Sequence, residues 1–176
     1  SVVLPEGWTF SGASNDIYTT ASFCGAAKPS LKFNENGINL VSPEFGAEIN
    51  TVSFFLRAGA VKSSSMMIIE GRNASSEAWK SVAQLVDLTP VNTRGNTYEF
   101  NIADKHVRQI RITFYATSGR VGLDDLALTF GNSCRSIYAD YDAKKIEGTS
   151  QPVEVAANGP VKFTYTVAAL DAKGLK

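Results

Sequence analysis

Val121-Gly122-Leu123-Asp124-Asp125-Leu126-Ala127-Leu128-Thr129-Phe130 is the stretch whose reading decides the fold. It alternates, and Leu126, Leu128 and Phe130 would share one face of a strand, because side chains recur on a face every second residue. Upstream, residues 107–115 repeat the pattern, with Val107, Ile110, Ile112 and Phe114 set against Arg108, Arg111, Thr113 and Tyr115. One slip near Gln109 reads as a β-bulge.

The same texture extends outward. Residues 52–58 are rich in strand formers and end at Gly59, and residues 65–70 form a short apolar run ending at Gly71. Residues 161–169 place Val161, Phe163, Tyr165 and Val167 on one face. Turn signals punctuate these runs at 35–37, 92–95, 118–119 and 157–160. The best helix candidate, 74–86, ends in β-branched residues, so Trp79-Lys80-Ser81-Val82 is read as a strand. Short strands at regular spacing predict an all-β jelly roll or β-sandwich. A boundary is expected near Gly131-Asn132-Ser133-Cys134, dividing a complete run of strands over 1–131 from an appended β segment over 132–176 that is too short to bury a core alone.

Composition removes several function classes. Lys plus Arg total 17 and Asp plus Glu total 17, so the basic excess of a nucleic-acid binder is missing. With one histidine, His106, a Ser-His-Asp or Cys-His site has a single candidate base, and the sequence sets that residue in a solvated turn. Two cysteines, Cys24 and Cys134, are too few for a zinc site built on thiolates and imidazoles. A long-range disulfide and two buried thiols stand as equal readings of that pair. No metal, phosphate or dinucleotide motif occurs, and no apolar run approaches the roughly 20 residues of a membrane span. The chain opens Ser1-Val2-Val3-Leu4-Pro5, without the parts of a signal peptide, so an exported protein would carry its signal outside these residues.

Three motifs carry a resemblance. Leu4-Pro5-Glu6-Gly7-Trp8 is the first. Pro29-Ser30-Leu31-Lys32-Phe33 follows, with Asn39-Leu40-Val41-Ser42-Pro43-Glu44-Phe45 and Val52-Ser53-Phe54-Phe55 after it. Gly122-Leu123-Asp124-Asp125-Leu126-Ala127-Leu128 closes the set. In this order the chain resembles, over about residues 3–130, the secreted β-jelly-roll modules of Bacteroidetes-type bacteria, which are related in shape to cleaved-adhesin, galactose-binding and MAM domains. Gly148-Thr149-Ser150, Val153-Glu154-Val155 and residues 163–174 resemble the later strands of a fibronectin type III domain. The resemblance implies a non-catalytic exported module, extracellular or on the cell surface and accessory to a larger protein. Its implied partners are a glycan, a cell-surface protein or neighbouring domains of the same polypeptide.

Asp124 and Asp125 are the candidate metal ligands. Adjacent strand residues face opposite sides, so one carboxylate would point inward, at a cost of several kcal/mol unless a cation or hydrogen bonds compensate. Related jelly rolls often hold calcium at this strand, which implies a structural calcium here. The chain departs from that pattern: Ser1-Val2-Val3 stands where relatives carry an acid, and only Ser14-Asn15-Asp16 where they have an Asp-rich loop. The alternative is a carboxylate that accepts hydrogen bonds from backbone amides of the first loop.

Trp8 and Trp79 would stack on a pyranose if exposed, but their places in the resembled family predict core positions. Tyr18, Tyr98, Tyr115, Tyr138 and Tyr141 are the surface aromatic candidates. Lys105, Arg108 and Arg111 are read either as a small positive patch or as a wet strand face. Asn73-Ala74-Ser75 matches a glycosylation sequon without function in a bacterial protein. The leading expectation is therefore carbohydrate binding or adhesion with no catalytic step. A structural protein–protein interaction domain and a small carboxylate-based glycoside hydrolase are the alternatives.

Overall fold

A computed structural model of the chain describes residues 3–13 and 15–131. The appended segment 132–176, with its expected strand over 161–169, its fibronectin type III-like motifs, Cys134, Tyr138 and Tyr141, lies outside the described residues.

The described residues form β1 (Thr9–Phe10), β2 (Ile17–Tyr18), β3 (Ser30–Phe33), β4 (Asn39–Val41), β5 (Ile49–Gly59), β6 (Met66–Arg72), β7 (Lys80–Val86), β8 (Asn96–Asn101), β9 (Gln109–Tyr115) and β10 (Arg120–Phe130). Single 3-10 turns at Ala21–Phe23, Thr89–Asn92 and Ala103–Lys105 make corners, and no α-helix occurs among these residues. The strands pair antiparallel in two sheets of five: β1-β4-β9-β6-β7, here the front sheet, and β2-β3-β10-β5-β8, the back sheet. The described residues form an all-β sandwich of jelly-roll type, as their periodicity predicts. Residues 79–82 enter β7 as a strand, not a helix.

Alternation builds the core. Along β5, Val52, Phe54, Leu56 and Ala58 are fully buried, while Ser53, Phe55 and Arg57 point to the other side. Across the sandwich they meet Ile110, Ile112 and Phe114 of β9 and Met67 and Ile69 of β6, which belong to the same buried cluster. Each such large side chain contributes about 1.5–3 kcal/mol through removal from water.

The deciding stretch behaves differently from a plain strand. Asp124 stands opposite Phe55 and Ala127 opposite Ser53, so three steps on β10 face two on β5. The extra residue is a bulge, and Asp125 takes the left-handed conformation, with φ 48°. Val121 and Leu123 face the core before it; Leu126 and Leu128 pack against the core after it. The bulge thus carries the apolar set from odd to even positions without moving it off the core. A second irregularity between Thr129 and Phe130 corrects the expectation for Phe130, which is 43% exposed and lies edge-on to Phe45 at 4.9 Å.

The slip at Gln109 is not a bulge. β9 pairs with β6 in unbroken register from Gln109 opposite Arg72 to Tyr115 opposite Met66. The change of phase falls before the strand, where His106 turns the chain with φ 54° and Val107 packs inward. The front sheet has its irregularity between β6 and β7, at Ile69/Glu70.

Candidate functional site

The outward side of the front sheet carries four cross-strand ranks, in which Gln109 and Thr113 are themselves buried. In the first, Tyr115 faces Met66, which faces Val86; Tyr115 is 37% and Val86 56% exposed. Thr113 faces Ile68 in the second. In the third, Arg111 faces Glu70 and holds it with both prongs, Nε donating to Oε2 at 2.6 Å and Nη2 to Oε1 at 2.8 Å. Gln109 faces Arg72 in the fourth, where Arg72 Nε donates to Gln109 Oε1 at 2.7 Å and Gln109 Nε2 donates to the Ser42 carbonyl at 2.8 Å. Tyr115 lies six steps along β9 from Gln109, which at roughly 3.3 Å per step makes the ladder about 20 Å long.

Trp79 closes the far end, and the expectation that it fills the core is corrected. Gly71 pairs with Lys80, so the next position back, 79, lies across from the outward-facing Arg72. The indole packs against two guanidiniums, with Arg72 Cζ 4.2 Å and Arg111 Cζ 4.8 Å from the ring centroid. Cation–π attraction and the Glu70 bridge fix ring and guanidiniums together. The Glu70 hydrogen bonds hold the Arg111 pKa above its ordinary value, burial opposing them. The result is a preorganised surface of an aromatic plane, a charged fork and an aliphatic end, with the Gln109 amide and the Thr113 hydroxyl buried beneath it.

The other sequence-predicted residues lie elsewhere. Trp8 packs against the core, as the family positions predict, and meets Phe45 edge-on at 6.4 Å. Tyr98 is packed against the core too, so it is no surface platform. Tyr18 stacks on Phe23 at 4.3 Å. Lys105, Arg108 and Arg111 do not pool their charge; each has its own carboxylate, Asp104 at 2.7 Å, Glu44 at 2.6 Å and Glu70 at 2.6 Å. His106 is exposed on its turn, with Nδ1 2.9 Å from Glu48 Oε2. The Cys24 thiol is buried, 3.4 Å from the carbonyl oxygens of Tyr18 and Thr20.

Asp124 and Asp125 border a hollow of about 420 Å³ whose walls include Leu4, Trp8, Leu31, Leu40 and Leu123. The expectation that they face opposite sides is corrected by the bulge, since a residue in the left-handed region breaks the alternation. Asp124 Oδ2 accepts from the Gly25 amide at 2.9 Å and Oδ1 from the Asp125 amide at 2.9 Å, while Asp125 Oδ2 accepts from the Ala26 amide at 2.7 Å. Both carboxylates therefore clasp the Gly25-Ala26 loop. Calcium takes six to eight oxygens. Here two carboxylates offer four, three of them already accepting amide protons, and no group of three or more metal-ligating side chains exists among the described residues. This donor set does not fit a calcium cage.

No family model matches the chain, and no curated protein matches it in sequence. Solved structures do. The K1 cleaved adhesin domain of Lys-gingipain from Porphyromonas gingivalis W83 is 9% identical, covers 73% of this chain and 94% of its own, and has a TM-score of 0.54. The K2 cleaved adhesin domain of Lys-gingipain is 12% identical over 72% of this chain and 91% of its own, with a TM-score of 0.54. A family 61 carbohydrate-binding module solved with β-1,4-galactotriose is 13% identical over 72% and 90%, with a TM-score of 0.48. At these identities the likeness is one of fold: the chain has the β-sandwich that cleaved adhesin domains share.

Proposed function

We propose that this chain is a non-catalytic module that binds a glycan along the solvent face of the front sheet, and so serves adhesion. The observation that carries the reading is the Trp79–Arg72–Arg111–Glu70 assembly at one end of a ladder that ends in exposed Tyr115. Sugars are recognised by an aromatic plane against their C–H face and by fixed polar groups at their hydroxyls. Arg72, Arg111 and Glu70, already held by each other and by the buried Gln109, lose little rotamer entropy on binding. A ladder about 20 Å long suits an oligosaccharide better than one sugar. The fold shared with cleaved adhesin domains supports the adhesive part of the reading.

Hydrolysis is disfavoured by the carboxylates themselves. A glycosidase needs one acid with a raised pKa. Glu70 and Glu44, the carboxylates beside this face, are each ion-paired with an arginine, which favours the charged form over the protonated acid. An exported, accessory position beside other domains follows from the adhesive role. Among the described residues, no helix is long and apolar enough to cross a membrane.

A glycan array followed by calorimetric titration of the best oligosaccharide tests the reading. Trp79→Ala should weaken binding at least about tenfold, equal to about 1.4 kcal/mol. Retention of full affinity by Trp79→Ala would remove the front face as the site.

A further inference from the structure

We infer that Gln109 is a positioning residue for the glycan site, holding the Arg72 guanidinium and through it the Trp79 ring; this rests on the front-face reading above. Gln109 is 8% exposed although it stands on the outward side of β9. A buried amide is costly unless both its ends are hydrogen-bonded. Both are: Oε1 accepts from Arg72 Nε at 2.7 Å, and Nε2 donates to the Ser42 carbonyl at 2.8 Å. The amide cannot turn over, because a flipped group would set its NH2 against the guanidinium N–H and its oxygen against the Ser42 oxygen. The side chain therefore bridges the residue after β4 to β6 in one orientation.

Arg72 has no charged anchor. The arginines beside it each clasp a carboxylate, Arg111 that of Glu70 and Arg108 that of Glu44. Arg72 makes no ion pair among the described residues, and its other hydrogen bond runs from Nη1 to the backbone carbonyl of exposed Glu77, at 3.3 Å. An arginine left free would have to be ordered when a ligand binds, at a loss of affinity. Gln109 has ordered it already in the folded chain.

Trp79 depends on Arg72 in turn. It stands one residue before β7 and outside the core cluster, and its ring packs on the Arg72 and Arg111 guanidiniums. Support thus runs from Ser42 through Gln109 and Arg72 to the indole. Ser42 and Gln109 are buried, so they act on a sugar through Arg72 and Trp79.

The test joins calorimetric titration, using the oligosaccharide bound tightest on the array, with NMR of the Arg72 Nε–H in the unliganded full chain. Gln109→Met keeps the length of the side chain and removes both hydrogen bonds. It should weaken binding about two- to tenfold, the effect of leaving one long side chain to be ordered. In a Trp79→Ala background it should weaken binding no further. Gln109→Glu keeps the acceptor for Arg72 and loses the donor for Ser42. It should lower the Tm yet bind within about twofold of the wild type, a split that a merely structural role would not give. The Arg72 Nε–H should exchange slowly with water in the wild type and in Gln109→Glu, and rapidly in Gln109→Met. Should Gln109→Met not fold, Arg72→Lys breaks the same bond from the surface side and should weaken binding by a similar factor. Three results would each overturn the inference and leave the front-face reading standing: a loss of affinity in Trp79→Ala but none in Gln109→Met or Arg72→Lys, affinity that follows Tm across the variants, or an Arg72 Nε–H still protected in Gln109→Met. Full affinity in Trp79→Ala would overturn both.

Discussion

Asp124→Ala is the most informative single change, because it separates an amide clasp from a metal site. The side chain accepts two backbone amides, from Gly25 and from Asp125, each at 2.9 Å. Hydrogen bonds to a charged group contribute about 1.5–3 kcal/mol apiece, and partial exposure puts these at the low end, so the loss should be about 2–3 kcal/mol. For a domain of this size that corresponds to a fall in Tm of about 6–10 °C. Asp124→Asn keeps one acceptor oxygen and should fall between. Urea denaturation and calorimetry, each run with calcium and with EDTA, read the result. EDTA should leave the wild-type Tm where it is, since the carboxylate oxygens hold amides. A wild-type Tm that drops in EDTA and returns with calcium would refute the clasp as the role of this pair. A change below about 0.5 kcal/mol in Asp124→Ala would refute its energetic weight.

Further outcomes follow from neighbouring geometry. A Cβ on Gly25 would fall on the Asp125 carboxylate, so Gly25→Ala should destabilise by about 1–3 kcal/mol in urea melts, and by much less in an Asp125→Ala background. Phe54→Ala, at a fully buried β5 position, should cost about 3–5 kcal/mol by the same assay. Trp79→Ala removes cation–π contacts on the solvent face and should cost only about 0.5–2 kcal/mol of stability, so any larger loss of glycan affinity belongs to binding. The hydrogen bonds from Thr89 hold the Asp87 carboxyl below its ordinary 3.8. Its folded pKa is the lower one, so its stabilising contribution is present above the unfolded value and lost as pH falls through the folded one. Thr89→Val should return the Asp87 midpoint, followed by NMR, toward the ordinary value.

The sandwich was legible because alternation is a local property. The solvent-facing partners of Phe54 and Ile112 are spaced by the pleat itself, and turn residues such as Gly37 and Gly119 mark the corners with φ 84° and φ 86°. Asp124 and Asp125 were legible as a pair in need of partners, and one of the two readings offered, backbone amides, is what the structure displays, though the amides belong to the loop between β2 and β3 and not to the first loop. The outward alternation of Glu70 and Arg72, and of Gln109 and Arg111, was present in the sequence too. What joins them was not, because register between strands about 40 residues apart depends on the whole sheet and not on either segment.

The amino-acid order by itself therefore determined which residues turn inward: period-two apolarity admits only a half-buried strand, and strands of that kind must face one another across a dry interior. The three-dimensional arrangement alone decided where the phase slips. A bulge beside Asp125 reverses the facing of β10, and a one-residue offset at Val82 of β7 leaves Trp79 facing outward onto Arg72 and Arg111. A strand's side-chain direction inverts with each added residue, so a single unpaired position, invisible until its partner strand is in place, separates a core tryptophan from a surface one.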